Sequence, residues 1–287
     1  MSPHQPSTAP AASAPIAIIL AAGKGTRMRS DLPKVLHPVG GRPMFCAVVD
    51  ACRAVGCQRV VLVVGYKQEL VRSAVAEQGA QWAAGVEFAE QLEQLGTGHA
   101  VLSAAPILAT DAARKSYPNV DAFVLAGDGP LIRPQTLQQL LSLHRNSHAA
   151  ATLATSIIDD PAGYGRIVRD AAGRLAAIVE HKDATPEQLR IREVNPSYYC
   201  FNLPRLMDAL SRVKRNPSSG EYYITDVPAM LLAEGQRVEV IDAVPPQDVL
   251  SINTPEQLAE VDAIYRGRAD AHAATNGSHT QPARSRS

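Results

Sequence analysis

Three short, unbroken apolar runs, each spaced from the next by residues of helical periodicity, restrict the fold of this chain more than any other feature. They are Ile16-Ala17-Ile18-Ile19-Leu20, Arg59-Val60-Val61-Leu62-Val63-Val64 and Ala122-Phe123-Val124-Leu125-Ala126. A strand with one wet face alternates apolar and polar residues, whereas an unbroken run needs cover on both faces. Between the runs, Met44 to Val55 carries apolar residues at 44, 45, 48, 49, 52 and 55, which is a helical stripe. Gln68 to Glu77 and Thr97 to Ala105 also fit helices, and Pro134 opens another with Leu137, Leu140 and Leu141 on one face. This alternation predicts an α/β fold: a Rossmann-like mixed, mainly parallel sheet flanked by helices. After residue 150 the texture changes. Thr152–Ile158, Gly165–Arg169 and Leu175–Val179 read as strands joined by turns such as Asp170-Ala171-Ala172-Gly173, which predicts a smaller antiparallel lobe.

The 287 residues divide into a body at 15–266 and two stretches, 1–14 and 267–287, with few large apolar side chains. Neither stretch offsets the entropy of ordering it, so both are expected to be disordered tails around one domain. The longest early apolar run, Ile16 to Ala22, is far below the roughly 20 residues of a membrane span. The N-terminus lacks a basic start and an apolar core, so no secretory signal is expected. Lys and Arg together number 28, as do Asp and Glu. That balance argues against nucleic-acid coating and polybasic membrane binding. The four cysteines, at 46, 52, 57 and 200, form no C-x-x-C pair and sit among apolar residues. They read as reduced, buried thiols of a cytoplasmic protein.

The first apolar run leads straight into Leu20-Ala21-Ala22-Gly23-Lys24-Gly25-Thr26-Arg27-Met28, then Arg29-Ser30-Asp31-Leu32-Pro33-Lys34. A glycine-rich turn at the carboxyl end of a parallel strand is where α/β sheets bind ligands. Gly23 and Gly25 allow backbone N–H groups to approach phosphate oxygens, and Lys24, Arg27, Arg29 and Lys34 oppose only Asp31. The Walker pattern is absent. So is the dinucleotide pattern, because Met28 stands where its third glycine belongs. Taken alone, such a turn is more often structural than functional.

The longer string is more specific. L-x-x-G-x-G-T-x-M followed by Pro33-Lys34 resembles the signature of sugar-phosphate nucleotidyltransferases. Further matches are Lys34-Val35-Leu36-His37-Pro38, Glu93-Gln94-Leu95-Gly96-Thr97-Gly98-His99-Ala100, Gly163-Tyr164-Gly165-Arg166-Ile167, Val179-Glu180-His181-Lys182-Asp183-Ala184 and Gly220-Glu221-Tyr222-Tyr223-Ile224-Thr225-Asp226. Together they resemble the N-acetylglucosamine-1-phosphate uridylyltransferases, over roughly residues 15–265. The resemblance implies that the antiparallel lobe lies on the sugar side and that UMP passes from UTP to N-acetylglucosamine 1-phosphate with Mg²⁺. It implies Arg27 on the triphosphate and Lys34 bridging the reacting phosphates. Asp128 and Asn253 would hold the metal, although an Asp after a strand also suits a helix cap and Asn253-Thr254-Pro255 a turn. Leu20, Ala21, Ala22, Gly23, Gln91, Gln94, Gly96 and Thr97 would bind the nucleotide. Gly165, Glu180, Asn195 and Tyr223 would bind the sugar, with Tyr222, Thr225 and Asp226 near the same pocket. His99 is expected to be structural.

The chain departs from the pattern at Ala126, where an aromatic residue is common, at Gly129, where an apolar residue is usual, and at Asn195-Pro196-Ser197, where Thr-Gly usually follows the Asn. These changes bear on the sugar and leave the reaction class alone. The left-handed β-helix of the bifunctional bacterial enzymes is not matched, so no acetyltransferase activity is expected. The implied partners are UTP and a sugar 1-phosphate, with a homo-oligomer left open. Competing readings are a transferase for another sugar or base, a catalytically silent regulatory subunit of the same fold and a Rossmann dehydrogenase. The presence of Arg27, Lys34 and Asp128 argues against the silent subunit, and the incomplete glycine pattern against the dehydrogenase.

Overall fold

The first apolar run forms strand β1 (Ile16–Ala21) at the centre of a nine-stranded sheet. The structure, a computed structural model, describes residues 13–112 and 120–277. After β1 come a small hairpin, β2 (Pro38–Val39) and β3 (Arg42–Pro43), then α1 (Met44–Ala54), β4 (Arg59–Val64), α2 (Gln68–Glu77), α3 (Ala80–Ala83) and β5 (Val86–Glu90). The chain continues through α4 (Thr97–Ser103), α5 (Ala105–Ala112), β6 (Asp121–Ala126), α6 (Pro134–Ser147) and β7 (Ala151–Ile157). Next are β8 (Gly165–Arg169), β9 (Leu175–Val179), α7 (Pro186–Leu189), β10 (Glu193–Asn202), α8 (Leu203–Arg212), α9 (Asp226–Ala233), β11 (Val238–Asp242) and α10 (Pro255–Gly277).

The sheet order is β11-β7-β10-β6-β1-β4-β5, with β1, β4, β5 and β6 mutually parallel where they pair and β10 antiparallel to both neighbours. Side chains of β1 alternate between two cores. Ala17, Ile19 and Ala21 pack with α1 and α6, and Ile16 and Ile18 with α4 and α8. That two-sided burial is why the run has no polar positions. β4 lies on one side of β1 and β6 on the other, so the chain reverses its direction of winding there. The crevice beyond the carboxyl ends of β1 and β6 is thus a topological switch point, where such sheets take ligands.

The antiparallel part is less separate than its sequence suggests. β7 and β10 extend the main sheet, and the hairpin β8–β9 is attached to it through Val194 and Asn195 of β10. β10 contains Pro196 and reads poorly as a strand. A bulge between Val194 and Tyr198 accommodates the proline, because bulged residues leave the ladder. The expected helix over 97–105 is divided at Ala104 into α4 and α5. The body also extends past residue 266: α10 runs to Gly277, and Arg268 donates to the Leu131 carbonyl at 3.0 Å. Alanine at 263, 269, 271, 273 and 274 favours helix where large apolar residues are lacking. Residues 1–12 and 278–287 of the expected tails lie outside the described residues. All four cysteines are free and buried. No helix among the described residues is long and apolar enough to cross a membrane.

Candidate active site

The glycine loop leaves β1 and turns through a single 3₁₀ turn, Thr26–Met28, which buries Met28 and leaves Arg27 exposed. Gly25 has φ 67°, and a Cβ there would stand 2.7 Å from the Cβ of Lys34. Only glycine meets both demands, so the loop and Lys34 pack as one unit. A second close passage lies beyond β6. The Gly127 N–H donates to the Leu20 carbonyl at 2.9 Å, and a Cβ on Gly127 would meet that oxygen at the same separation. This brings Asp128 over the glycine loop.

Lys34 ties the crevice together. Its ammonium donates to Asp128 Oδ2 and, at 2.7 Å, to Asn253 Oδ1. Arg27 donates to the same Asn253 oxygen at 2.8 Å. Asn253 is itself oriented from both ends: its Nδ2 donates to Ser251 Oγ at 3.2 Å, and its backbone N–H to Gln257 Oε1 at 2.8 Å. The Ile252 N–H meets the Asp128 carbonyl at 3.2 Å. Four residues named from sequence, Arg27, Lys34, Asp128 and Asn253, are therefore one connected network. Two hard oxygens converge on one cationic nitrogen, an arrangement whose charge also fits a divalent cation. Among the described residues no group of three or more His, Cys, Asp or Glu converges as a metal cluster. A cation at Asp128 and Asn253 would take its other ligands from water and phosphate, which suits Mg²⁺.

Two cavities meet at Asp128. The smaller, of about 200 Å³, is lined by Leu20, Gly23, Lys34 and Thr97 on one side and by Ser197, Tyr199 and Ile224 on the other. The larger, of about 300 Å³, runs beneath Arg27 to Tyr164, Gly165, Glu180, Asn195 and Asn253. Ala126, Asp128 and Ser197 belong to both.

On the first side, Gln94 Nε2 donates to the Ala22 carbonyl at 2.8 Å and Gln91 Nε2 to the Gly96 carbonyl at 3.1 Å. His99 Nδ1 lies 3.1 Å from the same Gln91 nitrogen, so this histidine braces the amide. Gly96 has φ 98°, and a Cβ there would be 2.6 Å from the Tyr222 carbonyl. Thr97 Oγ1 accepts from the Ile224 N–H at 3.1 Å. Ala21 and Ala22 are buried beneath this edge, while Gly23 is open.

On the second side, the β8–β9 hairpin and the bulge of β10 bring together Gly165, Glu180 and Asn195, which are separated in sequence by 15 or more residues. Arg166, 1% exposed, donates to the Tyr164 carbonyl and to the Leu189 carbonyl at 3.4 Å, which fixes the loop before Gly165. Glu180 Oε1 accepts from Thr225 Oγ1 at 3.1 Å. Burial raises the Glu180 carboxyl above its ordinary value, and the Thr225 hydroxyl bond partly opposes that. The Asn195 amide is committed locally: Nδ2 donates to the Tyr199 hydroxyl at 2.6 Å, and Oδ1 accepts from the Ser197 N–H at 3.2 Å. Tyr223, like Ala21, Ala22, Gln91, Gln94 and Gly96 on the first side, lines neither cavity. Its hydroxyl donates to Ser219 Oγ at 2.7 Å, and its ring lies 5.2 Å from the Lys182 ammonium.

Tyr198, Ser251 and Gln257, which the sequence did not mark as site residues, also line the larger cavity, as does Ser197, marked there only as part of the Asn195-Pro196-Ser197 departure. The Ser251-Ile252-Asn253 run was a usable signal for Ser251 because alternate extended residues share a side. Nothing local marks Tyr198.

A family model described as the MobA-like NTP transferase domain matches residues 17–191. A bifunctional protein GlmU from Pelotomaculum thermopropionicum is 46% identical over 253 residues, 88% of this chain and 52% of the relative. Those from Geobacter metallireducens and Brevibacillus brevis are 45% and 43% identical over 252 residues, 88% of this chain and 50% and 52% of the relatives. The chain thus spans about half the length of the curated relatives it matches. A solved UDP-glucose pyrophosphorylase with UDP-glucose superimposes with TM-score 0.70 at 17% identity, covering 89% of this chain and 100% of that one. That likeness shows a shared fold.

Proposed function

The chain belongs to the MobA-like NTP transferase domain family, and on that premise we propose that it transfers UMP from UTP to N-acetylglucosamine 1-phosphate, releasing pyrophosphate. The observation that carries this reading is the Lys34 ammonium between Asp128 and Asn253, where the two cavities meet. A transfer between two bound anions needs such a junction: one site for each reactant and a fixed positive charge where they meet.

In this reading the nucleotide enters the cavity lined by Leu20, Gly23 and Thr97. The amide nitrogens of Gln91 and Gln94 are engaged with carbonyls, which leaves their oxygens to accept from an N–H of the base. Uracil offers its ring N3–H to such an oxygen, whereas cytosine offers only its exocyclic N4–H. Arg27 steadies the triphosphate and the departing pyrophosphate. Lys34 holds the two reacting phosphates together and offsets charge as an acceptor oxygen attacks the α-phosphorus in line with the leaving group. Asp128 and Asn253 would hold Mg²⁺, which would supply positive charge to offset that of the phosphates. Glu180, the Gly165 backbone and the Asn195 segment meet the acceptor sugar.

Pyrophosphate release across a grid of nucleoside triphosphates and sugar 1-phosphates, with and without Mg²⁺, tests the reading. Turnover is expected with UTP and N-acetylglucosamine 1-phosphate in the presence of Mg²⁺. No turnover with any pair refutes the transferase; preference for another sugar refutes the acceptor alone.

A further inference from the structure

Ser197 holds φ 64°, a left-handed backbone that costs a non-glycine L-residue about 1–2 kcal/mol. Such strain persists where the surroundings over-determine it, and it gathers at functional sites. The residue sits in the bulge of β10, where register with β7 slips between Val194 and Tyr198. Bulges re-aim side chains, and this one turns Ser197 to the crevice, where it lines both cavities. Two hydrogen bonds hold it there. The Ser197 N–H donates to Asn195 Oδ1 at 3.2 Å, and Asn195 Nδ2 in turn donates to the Tyr199 hydroxyl at 2.6 Å.

Of the residues shared by the two cavities, Ala126 offers a methyl group and Asp128 is paired with Lys34. Ser197 is the neutral hydrogen-bonding side chain among the three. Its hydroxyl has one donor and two acceptor positions to offer a ligand. The neighbouring Asn195 amide, in contrast, already serves Tyr199 and the Ser197 backbone.

We propose that Ser197 is a specificity-determining residue for the acceptor: its hydroxyl contacts the 2-acetamido group of the sugar, one carbon from the phosphate that meets Asp128 and Lys34. This rests on the transferase reading above. Glycine would relieve the backbone strain but would remove the hydroxyl, which explains why a strained serine is useful at this position.

The test compares the wild-type chain with Ser197→Ala and Ser197→Gly, using UTP, Mg²⁺ and either N-acetylglucosamine 1-phosphate or glucose 1-phosphate as acceptor. Alanine keeps the Cβ and the strain, so it isolates the hydroxyl. The ratio of kcat/KM between the two acceptors is expected to fall about tenfold in both variants, the scale of one lost hydrogen bond to substrate. The change should lie in KM for the acceptor, with KM for UTP within about twofold. Thermal midpoints should be unchanged for Ser197→Ala and raised for Ser197→Gly. Calorimetric titration of each sugar 1-phosphate reads the same selectivity without turnover. An unchanged ratio in Ser197→Ala, or an equal rise in KM for UTP, overturns the assignment while an active wild type leaves the transferase reading standing. A wild type that neither turns over nor binds either acceptor overturns both.

Discussion

Replacing Asp248 with alanine is expected to destabilise the protein by about 3 kcal/mol, at the lower end of the range for breaking a buried ion pair. Asp248 lies in the 3₁₀ turn Pro246–Val249, and its side chain is 1% exposed. Its carboxylate accepts from Arg133 Nε, from Arg133 Nη2 at 3.0 Å and from Arg268 Nη2. One carboxylate therefore joins the entry to α6 with α10. Removing it leaves two guanidinium groups facing a small void. These arginines are 37% and 29% exposed, so water recovers part of their hydration, which is why the lower end applies. At about 2–4 °C per kcal/mol for a protein of this size, the midpoint should fall by roughly 6–12 °C. Calorimetric melting, checked against urea unfolding, measures it. Asp248→Asn keeps an acceptor oxygen and should fall between wild type and Asp248→Ala. Val249, Ser251 and Asn253 follow in the chain and line the larger cavity, so kcat/KM should fall as well below the melting range. A loss under about 1 kcal/mol would show that both arginines rehydrate freely and would refute the clamp.

Three further outcomes follow from the site. Asp128→Ala and Arg27→Ala should each lower kcat at least ~10²-fold in the pyrophosphate assay, as for loss of preorganised charge stabilisation; near-normal rates would put the chemistry elsewhere. Gly25→Ala must hold a Cβ 2.7 Å from Lys34 Cβ at φ 67°, so it should displace Lys34 and reduce kcat about tenfold or more while far-UV dichroism is unchanged. Glu180→Gln separates binding from stability. Burial raises the Glu180 pKa, so its neutral form stabilises the fold below the ordinary carboxylate range, and that contribution is lost as pH rises through the raised value. The glutamine variant should therefore melt higher than wild type at pH 7, with the gain shrinking toward pH 4, while KM for the acceptor rises. An equal gain at both pH values would count against the buried charge.

The alternation of apolar runs with helical stripes was legible because two-sided burial acts on every residue of a strand. Ile16–Leu20, Val60–Val64 and Ala122–Ala126 carry no polar residue, and that alone demands helices above and below. The second half of the sheet was harder to read. Pro196 breaks the local signature of β10, and the compensation, a bulge at Val194–Tyr198, depends on partner strands. Likewise, α10 continues to Gly277 through alanine, whose helix propensity leaves no amphipathic pattern.

For the site, sequence by itself determined the local pieces: a glycine loop carrying Arg27 and Lys34 directly after a strand, and an aspartate just beyond another. Both follow from short-range rules, since strand ends and glycine turns are encoded within a few residues. Tertiary structure alone decided which pieces meet. Lys34 joins Asp128 and Asn253 across 94 and 219 residues because β1 and β6 are neighbours and the chain returns to them before α10. It also decided that Tyr223 turns to Ser219, that the Asn195 amide braces a bulge and that Ser197 faces both cavities. Side-chain direction is set by register and packing between distant segments, and no periodicity in one segment carries that information.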